Sequence, residues 1–357
     1  MKFGLFYLPT YLPAVRDAGT HFDNIAEQVL YADEIGIDYC WMVEHHFVRH
    51  GGLCAGSFAL LSYLAGRTKR IRLGVGAAVL PLNDPVRVAE LGATLDQVSK
   101  GRFDLGIGRG FIKHEFEAFG VEMRDSRERL EEGIDIIKRA WTQSTVDYEP
   151  RFRPKMEALP VLPPPRQKPH PPVWVACFLT QESFEWTAKE GYNLLYVAYH
   201  VDPSVAKERI GWYLNALPKF GRSAKDHQVM CCYHAHFIAH LTDEDDVAKL
   251  RSVVEQPMAE YSAAGAEAAK KPPDPVAYKG YTAREDYHKQ QSGFDLYYPG
   301  RVLMGGPKQA LDRLKEMRDA GITQVSMIVD FGSLSQKEIM RSMQVFAHEV
   351  LPKAKDL

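Results

Sequence analysis

No stretch of the sequence stays apolar for the roughly 20 residues that a membrane helix requires. Residues 1–8 run straight into an apolar extended segment, and Pro9 follows too soon for a signal-peptide core to form. We therefore expect a cytoplasmic protein with no membrane partner. Neither sign of charge is in excess: 44 Lys and Arg against 46 Asp and Glu leave a formal charge of −2. The basic field that nucleic acid demands is missing, and small molecules are the expected partners. Cysteine is sparse and odd in number (Cys40, Cys54, Cys177, Cys231, Cys232), without C-x-x-C spacing. That argues against a disulfide framework and for buried thiols in a reducing compartment. A dinucleotide fingerprint is also lacking, because Gly106-Ile107-Gly108 has no third glycine in the required place.

What the sequence does contain is regular alternation. Apolar, β-branched or aromatic runs recur at 3–8, 38–43, 71–80, 103–108, 173–177, 194–197, 230–238 and 324–330. Between them, apolar residues recur at helical spacing over 22–35, 57–65, 85–98, 126–141, 181–190, 203–217, 243–261 and 307–320. Near-continuous apolar strands alternating with helices imply a parallel sheet with helical cover. Eight such units predict an α/β fold of the (β/α)8 TIM-barrel type, a single domain over residues 1–357 with inserted loops. A doubly wound open sheet is the competing architecture, but Pro9-Thr10-Tyr11-Leu12-Pro13 stands where its glycine-rich turn belongs.

Two stretches break the alternation. Residues 148–172 are proline-rich and read as a stiff surface crossing ahead of the fifth strand. Residues 263–300 mix Ala, Lys and Pro with a tail carrying Phe294, Tyr297 and Tyr298, and read as a structureless lid whose aromatics cover a ligand.

A barrel keeps its chemistry at the C-terminal ends of its strands. There the sequence places Tyr7 and Leu8; Glu44 and His45; Ala77, Ala78, Leu80 and Pro81; Arg109 and Gly110; Cys177 to Thr180; Tyr199; His234 and His236; and Asp330 to Gly332. This set is poor in carboxylates and rich in aromatic and small side chains, which suits a large planar ligand. Glu44-His45-His46-Phe47 is its densest chemical signal. Neighbours on a strand face opposite ways, so His45 and His46 should have different tasks. Arg109, after a glycine-rich strand, offers a bidentate fork for a phosphate or else a surface ion pair. Thr180, ahead of a helix that includes Ser183, is either a simple N-cap or part of an anion site. His234-x-His236 shares one strand face, as metal ligands do, but no further cluster of matching spacing accompanies it.

Ordered segments then carry a resemblance. Lys2-Phe3-Gly4, Trp41-Met42-Val43-Glu44-His45-His46-Phe47, Gly74 through Pro81, Asp84-Pro85-Val86-Arg87, Leu95 through Phe103 and Gly106-Ile107-Gly108-Arg109-Gly110 resemble bacterial luciferase-like, flavin-dependent monooxygenases. The match is dense to about residue 141, looser in the middle, and recovers over 307–352. It implies a TIM-type barrel that takes reduced FMN from a separate NAD(P)H:flavin reductase and activates O2 as a flavin C4a-peroxide to oxygenate a small organic substrate. Position by position, His45 resembles the family's catalytic histidine and Glu44 the acid near it. Ala77-Ala78 resembles the non-proline cis peptide against the flavin. Arg109, flanked by Gly108 and Gly110, resembles the phosphate-binding arginine, with Thr180 and Ser183 beside it; no metal is implied.

The resemblance also implies a homodimer. The segment 55–66 is apolar or small nearly all round, whereas an outer barrel helix needs only one apolar stripe. The second and third helices are thus expected to meet a second copy, with His46 turned outward toward the partner's Glu90. Gly108 departs from luciferase, which has Cys there, so a monooxygenase of the family is expected rather than a light emitter. Three other readings stay open: a coenzyme F420-dependent oxidoreductase on the same barrel, a metal-dependent TIM-barrel hydrolase, and a non-catalytic flavin-binding subunit.

Overall fold

Strands buried on both faces need cover on both, and a closed barrel ringed by helices supplies it. The computed structural model describes residues 1–239, 244–278, 293–355 and 357. Its strands are β1 (Lys2–Tyr7), β2 (Tyr39–Met42), β3 (Arg72–Val79), β4 (Phe103–Gly108), β5 (Val146–Tyr148), β6 (Met156–Leu159), β7 (Val173–Cys177), β8 (Asn193–Tyr196), β9 (Val229–Phe237), β10 (Leu303–Gly305) and β11 (Gln324–Ile328). The parallel order is β10-β9-β11-β1-β2-β3-β4-β7-β8, and β8 pairs again with β9. The eight expected strands therefore close into a (β/α)8 barrel. Short β10 extends it, pairing with Ala235–Phe237 at the far end of β9.

The helices that matter for the site are α1 (Ala18–Ile35), α2 (Ser57–Arg67), α3 (Pro85–Val98), α4 (Lys113–Phe119), α5 (Ser126–Thr142), α6 (Gln181–Glu190), α7 (Pro203–Ala216) and α8 (Glu244–Ala268). Local sequence sets their ends. The Asp84 side chain accepts from the Val86 and Arg87 amides while Pro85 opens α3, and Gly36 closes α1 at φ 86°. Helix α4 has no counterpart in the sequence reading: seven residues are too few for a helical period to stand out.

The lower barrel is packed with rings. Trp41 on β2 meets Trp174 on β7 edge-on, with centroids 5.2 Å apart, and stacks on Tyr39 at 5.8 Å. Since β3 and β4 lie between β2 and β7, the Trp41–Trp174 contact crosses the interior. Gly74 makes room for it; a Cβ there would sit 2.1 Å from the Trp41 ring. The Trp174 indole donates to buried Asp104, which also pairs with Arg72 at 2.6 Å. Burial pushes the Asp104 carboxyl up, and Arg72 opposes the shift.

The two irregular stretches differ in outcome. Residues 146–159 form a small hairpin, and the proline-rich crossing behind it is tied down where the Arg166 and Gln167 amides donate to Asp96. The 263–300 stretch is not structureless where described. Ala263 to Ala268 complete α8, and Phe294–Tyr297 is a short helix. Phe294 and Tyr297 are each 1% exposed in the core, with Tyr298 stacked on Phe294, so these aromatics serve packing rather than cover. Residues 279–292 lie outside the described residues. No helix among the described residues is long and apolar enough to cross a membrane.

Candidate active site

Strand β2 ends at Met42, and the next residues form the rim of a cavity of about 440 Å³ at the C-terminal mouth. Phe6, Leu8, Val79, Leu195 and Val197 give it apolar walls, with Gly76, Ala77, Gly108 and Ala176 among its small lining residues. Glu44, His45, Gly108, Arg109, Gly110, Thr180 and Ser183 all line it. Ala77 lines it too, but Ala78 is fully buried and does not, and the cis peptide joins Gly76 to Ala77, one bond earlier than expected. The reason is the two-residue period of β3, in which neighbouring side chains face apart. A Cβ on Gly108 would meet the methyls of Ala176 and Ala77 at 3.4 and 3.5 Å, ordinary contact distances, so this wall is close to flat.

The acid and the two imidazoles arrange themselves crosswise. His46 Nε2 lies 3.0 Å from Glu44 Oε1, which also accepts from Asn83 at 2.7 Å, while Glu44 Oε2 takes the Val79 amide at 3.3 Å. This bond to Glu44 favours the imidazolium and raises the His46 pKa. His45 turns the other way, with Nδ1 3.1 Å from Glu115 Oε1. The two histidines do face apart, yet the acid expected beside His45 serves His46 instead. Within the chain, Glu44 holds His46, Phe119 packs on it edge-on at 4.8 Å, and Glu90 pairs with Arg87.

The opposite end is cationic and hydroxylic. Arg109 donates through Nη2 to Ser126 and to the Ala277 carbonyl, both at 3.0 Å, with its guanidinium 4.4 Å from the Tyr278 ring centroid. Tyr278 donates to the Gly110 carbonyl at 2.9 Å and lies 2.9 Å from the Ser126 hydroxyl. Arg109 Nε is buried with no partner among the described residues, a donor left over once the protein's own contacts are made. Thr180 is the N-cap residue of α6, but its hydroxyl meets that of Ser183 at 2.8 Å rather than a backbone amide. Arg124 and Arg127 line the same end, Arg127 pairing with Glu182 at 3.2 Å. A flat apolar slot ending in guanidinium and hydroxyl groups fits a planar ring system carrying a phosphate monoester, as FMN does.

Sequence reasoning missed Glu115, Ser126, Arg127, His50 and Tyr278. A Glu on a seven-residue helix carries no pattern, and Tyr278 sits in a stretch read as unstructured. His234 and His236 are absent from the cavity. His234 lies among the rings of Tyr199, Tyr261, Tyr297 and Phe331, and burial lowers the two imidazoles to about 3 and about 4. Among the described residues no group of three or more His, Cys, Asp or Glu could hold a metal ion.

Comparison with known proteins agrees with this geometry. The family model for luciferase-like monooxygenases matches residues 1–324. The oxygenase component of the flavin-dependent trigonelline monooxygenase of Acinetobacter baylyi is 26% identical, covering 99% of this chain and 95% of that one. The crystal structure of monooxygenase RslO1 from Streptomyces bottropensis superposes with a TM-score of 0.80 at 28% identity, covering 99% of both chains. The oxygenating constituent of 3,6-diketocamphane monooxygenase of Pseudomonas putida, solved in complex with FMN, shares the fold with a TM-score of 0.78 at 18% identity, covering 99% and 98%. The chain belongs to the luciferase-like monooxygenase family and is a flavin-dependent monooxygenase.

Proposed function

We propose that the chain is the oxygenase half of a two-component system, taking reduced FMN from a separate NAD(P)H:flavin reductase and using O2 to oxygenate a small organic substrate. The observation that carries this is the built end of the cavity: Arg109 with a spare buried donor, the Thr180–Ser183 hydroxyl pair, and the Ala277–Tyr278 strap closing the far side. This end suits a terminal phosphate.

Reduced FMN, when bound, supplies the electrons that activate O2. The protein's own tasks follow from its residues. Arg109, Thr180 and Ser183 anchor the phosphate, while Gly108 and Ala77 let the ring plane approach the strands. The apolar walls keep water away, and His45 holds or moves a proton beside the ring system. Glu44 acts on His46 and on the end of β3, steadying the wall at Ala77. The described part of the 263–300 stretch covers the phosphate end through Val276, Ala277 and Tyr278, which makes this stretch the lid of the site.

The protein acts as a homodimer in the reducing cytoplasm, where its five free, buried cysteines stay reduced. Ala59, half-exposed Tyr63 on α2 and half-exposed Leu91 and Val98 on α3 form the apolar face that a second copy would bury. Anaerobic titration with reduced FMN and reduced F420, followed by 18O2 and a substrate panel, tests the reading. Tight FMN binding and label in a product are expected. Preference for F420, or transfer of hydride without label, would refute it.

A further inference from the structure

We propose that Glu115 is the positioning residue for His45: its carboxylate holds the Nδ1–H tautomer and thereby presents Nε2 to the cavity as an acceptor. This rests on the reading of His45 as the proton-handling group of the flavin pocket.

Glu115 lies on α4, has no solvent exposure, and is outside the cavity lining. Its Oε1 is 3.1 Å from His45 Nδ1 and accepts the His46 backbone N–H at 2.7 Å; its Oε2 has no partner among the described residues. No Lys or Arg among the described residues pairs with it. A buried acid without a cation is a burden that a fold built only for stability sheds readily, because an apolar side chain of similar volume fills the space without desolvating a charge. Its place here is explained by what it faces.

An ionised carboxylate only accepts hydrogen bonds, so the 3.1 Å contact puts hydrogen on Nδ1, and in the neutral imidazole that leaves the Nε2 lone pair free. The His46 N–H fastens the same oxygen to the loop that carries His45, which keeps acid and imidazole in register. No described group hydrogen-bonds Nε2. His45 lines the cavity and its side chain retains 12% exposure, while Glu115 retains none and lies behind it. The other titratable groups around His45 are otherwise arranged: Glu44 is spent on His46, Asn83 and Val79, and the His50 ring centroid is 6.3 Å away. Phe111 closes over the ring edge-on at 5.9 Å. Glu115 is thus the one described carboxylate in hydrogen-bond reach of this imidazole.

The test reads the tautomer directly, without flavin or turnover. Ring-15N spectra of the histidine-labelled full chain at alkaline pH, with His45 assigned by loss of its signals in His45→Ala, are expected to show Nδ1–H in the wild type. Glu115→Met removes the acceptor at similar volume and is expected to shift His45 toward Nε2–H. Glu115→Gln can still offer an oxygen and is expected to keep Nδ1–H. With FMN, Glu115→Met is expected to lose about a hundredfold in coupled oxygenation at unchanged FMN affinity, and Glu115→Gln to recover part of it. A wild-type Nε2–H tautomer, or Nδ1–H persisting in folded Glu115→Met, overturns the proposal. If Glu115→Met does not fold, the wild-type spectrum alone decides. The expected tautomers in a protein that oxygenates nothing would instead count against the proposed function.

Discussion

Replacing Arg109 with Ala separates phosphate recognition from ring recognition. Its guanidinium makes two 3.0 Å hydrogen bonds through one nitrogen and packs on Tyr278, while Nε has no partner among the described residues. A phosphate that takes up the remaining donors gains hydrogen bonds to a charged group, worth about 1.5–3 kcal/mol. That corresponds to a Kd for FMN raised about 10- to 150-fold in Arg109→Ala. Arg109→Lys keeps the charge but loses the planar fork and the stacking on Tyr278, and should fall between the two. Riboflavin, which shares the rings and lacks the phosphate, is the control ligand. Fluorescence titrations of both flavins against both proteins form a cycle in which the Arg109 loss appears with FMN and vanishes with riboflavin. Equal losses for the two flavins would mean that Arg109 shapes the slot instead of gripping phosphate, and unchanged FMN affinity would remove it from the site.

Four further outcomes are expected. His45→Ala should bind FMN normally and lose about a hundredfold or more of coupled oxygenation, with oxygen uptake diverted to hydrogen peroxide; wild-type coupling would make His45 structural. Gly106→Ala should lower the melting temperature by the equivalent of about 1–3 kcal/mol, because its Cβ would lie 2.3 Å from the Val75 carbonyl oxygen, while Gly108→Ala should melt near the wild type. His234 and His236, lowered by burial to about 3 and about 4, contribute stability that is complete above pH 6.5 and is lost as pH falls, up to about 2 kcal/mol each by pH 5; denaturant melts of His234→Phe should show a flatter acid limb, and an unchanged limb would contradict this. Charged substitutions at Ala59 and Tyr63 should split the dimer in sedimentation, and a wild-type monomer at micromolar concentration would end that assignment.

The barrel was legible because its signal is long-range and repeated: eight apolar runs and the helices between them survive errors of one or two residues at each end. Strand β4 and helices α3 and α6 have the bounds that their apolar spacing and flanking Pro, Gly and Thr imply. The lining residues attached to strand ends were legible for the same reason, since once β4 is placed Arg109 has nowhere else to be. Partnership was harder to read. Glu44 and Glu115 are both plausible acids for His45, and which one reaches it depends on how the chain turns after Met42 and on a short helix 70 residues away in sequence. The contact of Arg109 with Ala277 spans 168 positions, and no local pattern announces it. The resemblance puts the cis bond at Ala77-Ala78, a residue late, because nothing local in the sequence marks which of two adjacent bonds is cis.

The ring-packed lower barrel has a consequence for traffic. With Trp41, Trp174 and Tyr39 packed in the barrel interior, rings fill the axis among the described residues, and whatever reaches His45 is expected to arrive through the mouth and depart the same way. Flavin and substrate then share a single vestibule. The order of entry is a matter of queueing: the molecule that rests deeper must go in first and come out last, so a substrate that arrives early would stand in the doorway of its own cofactor.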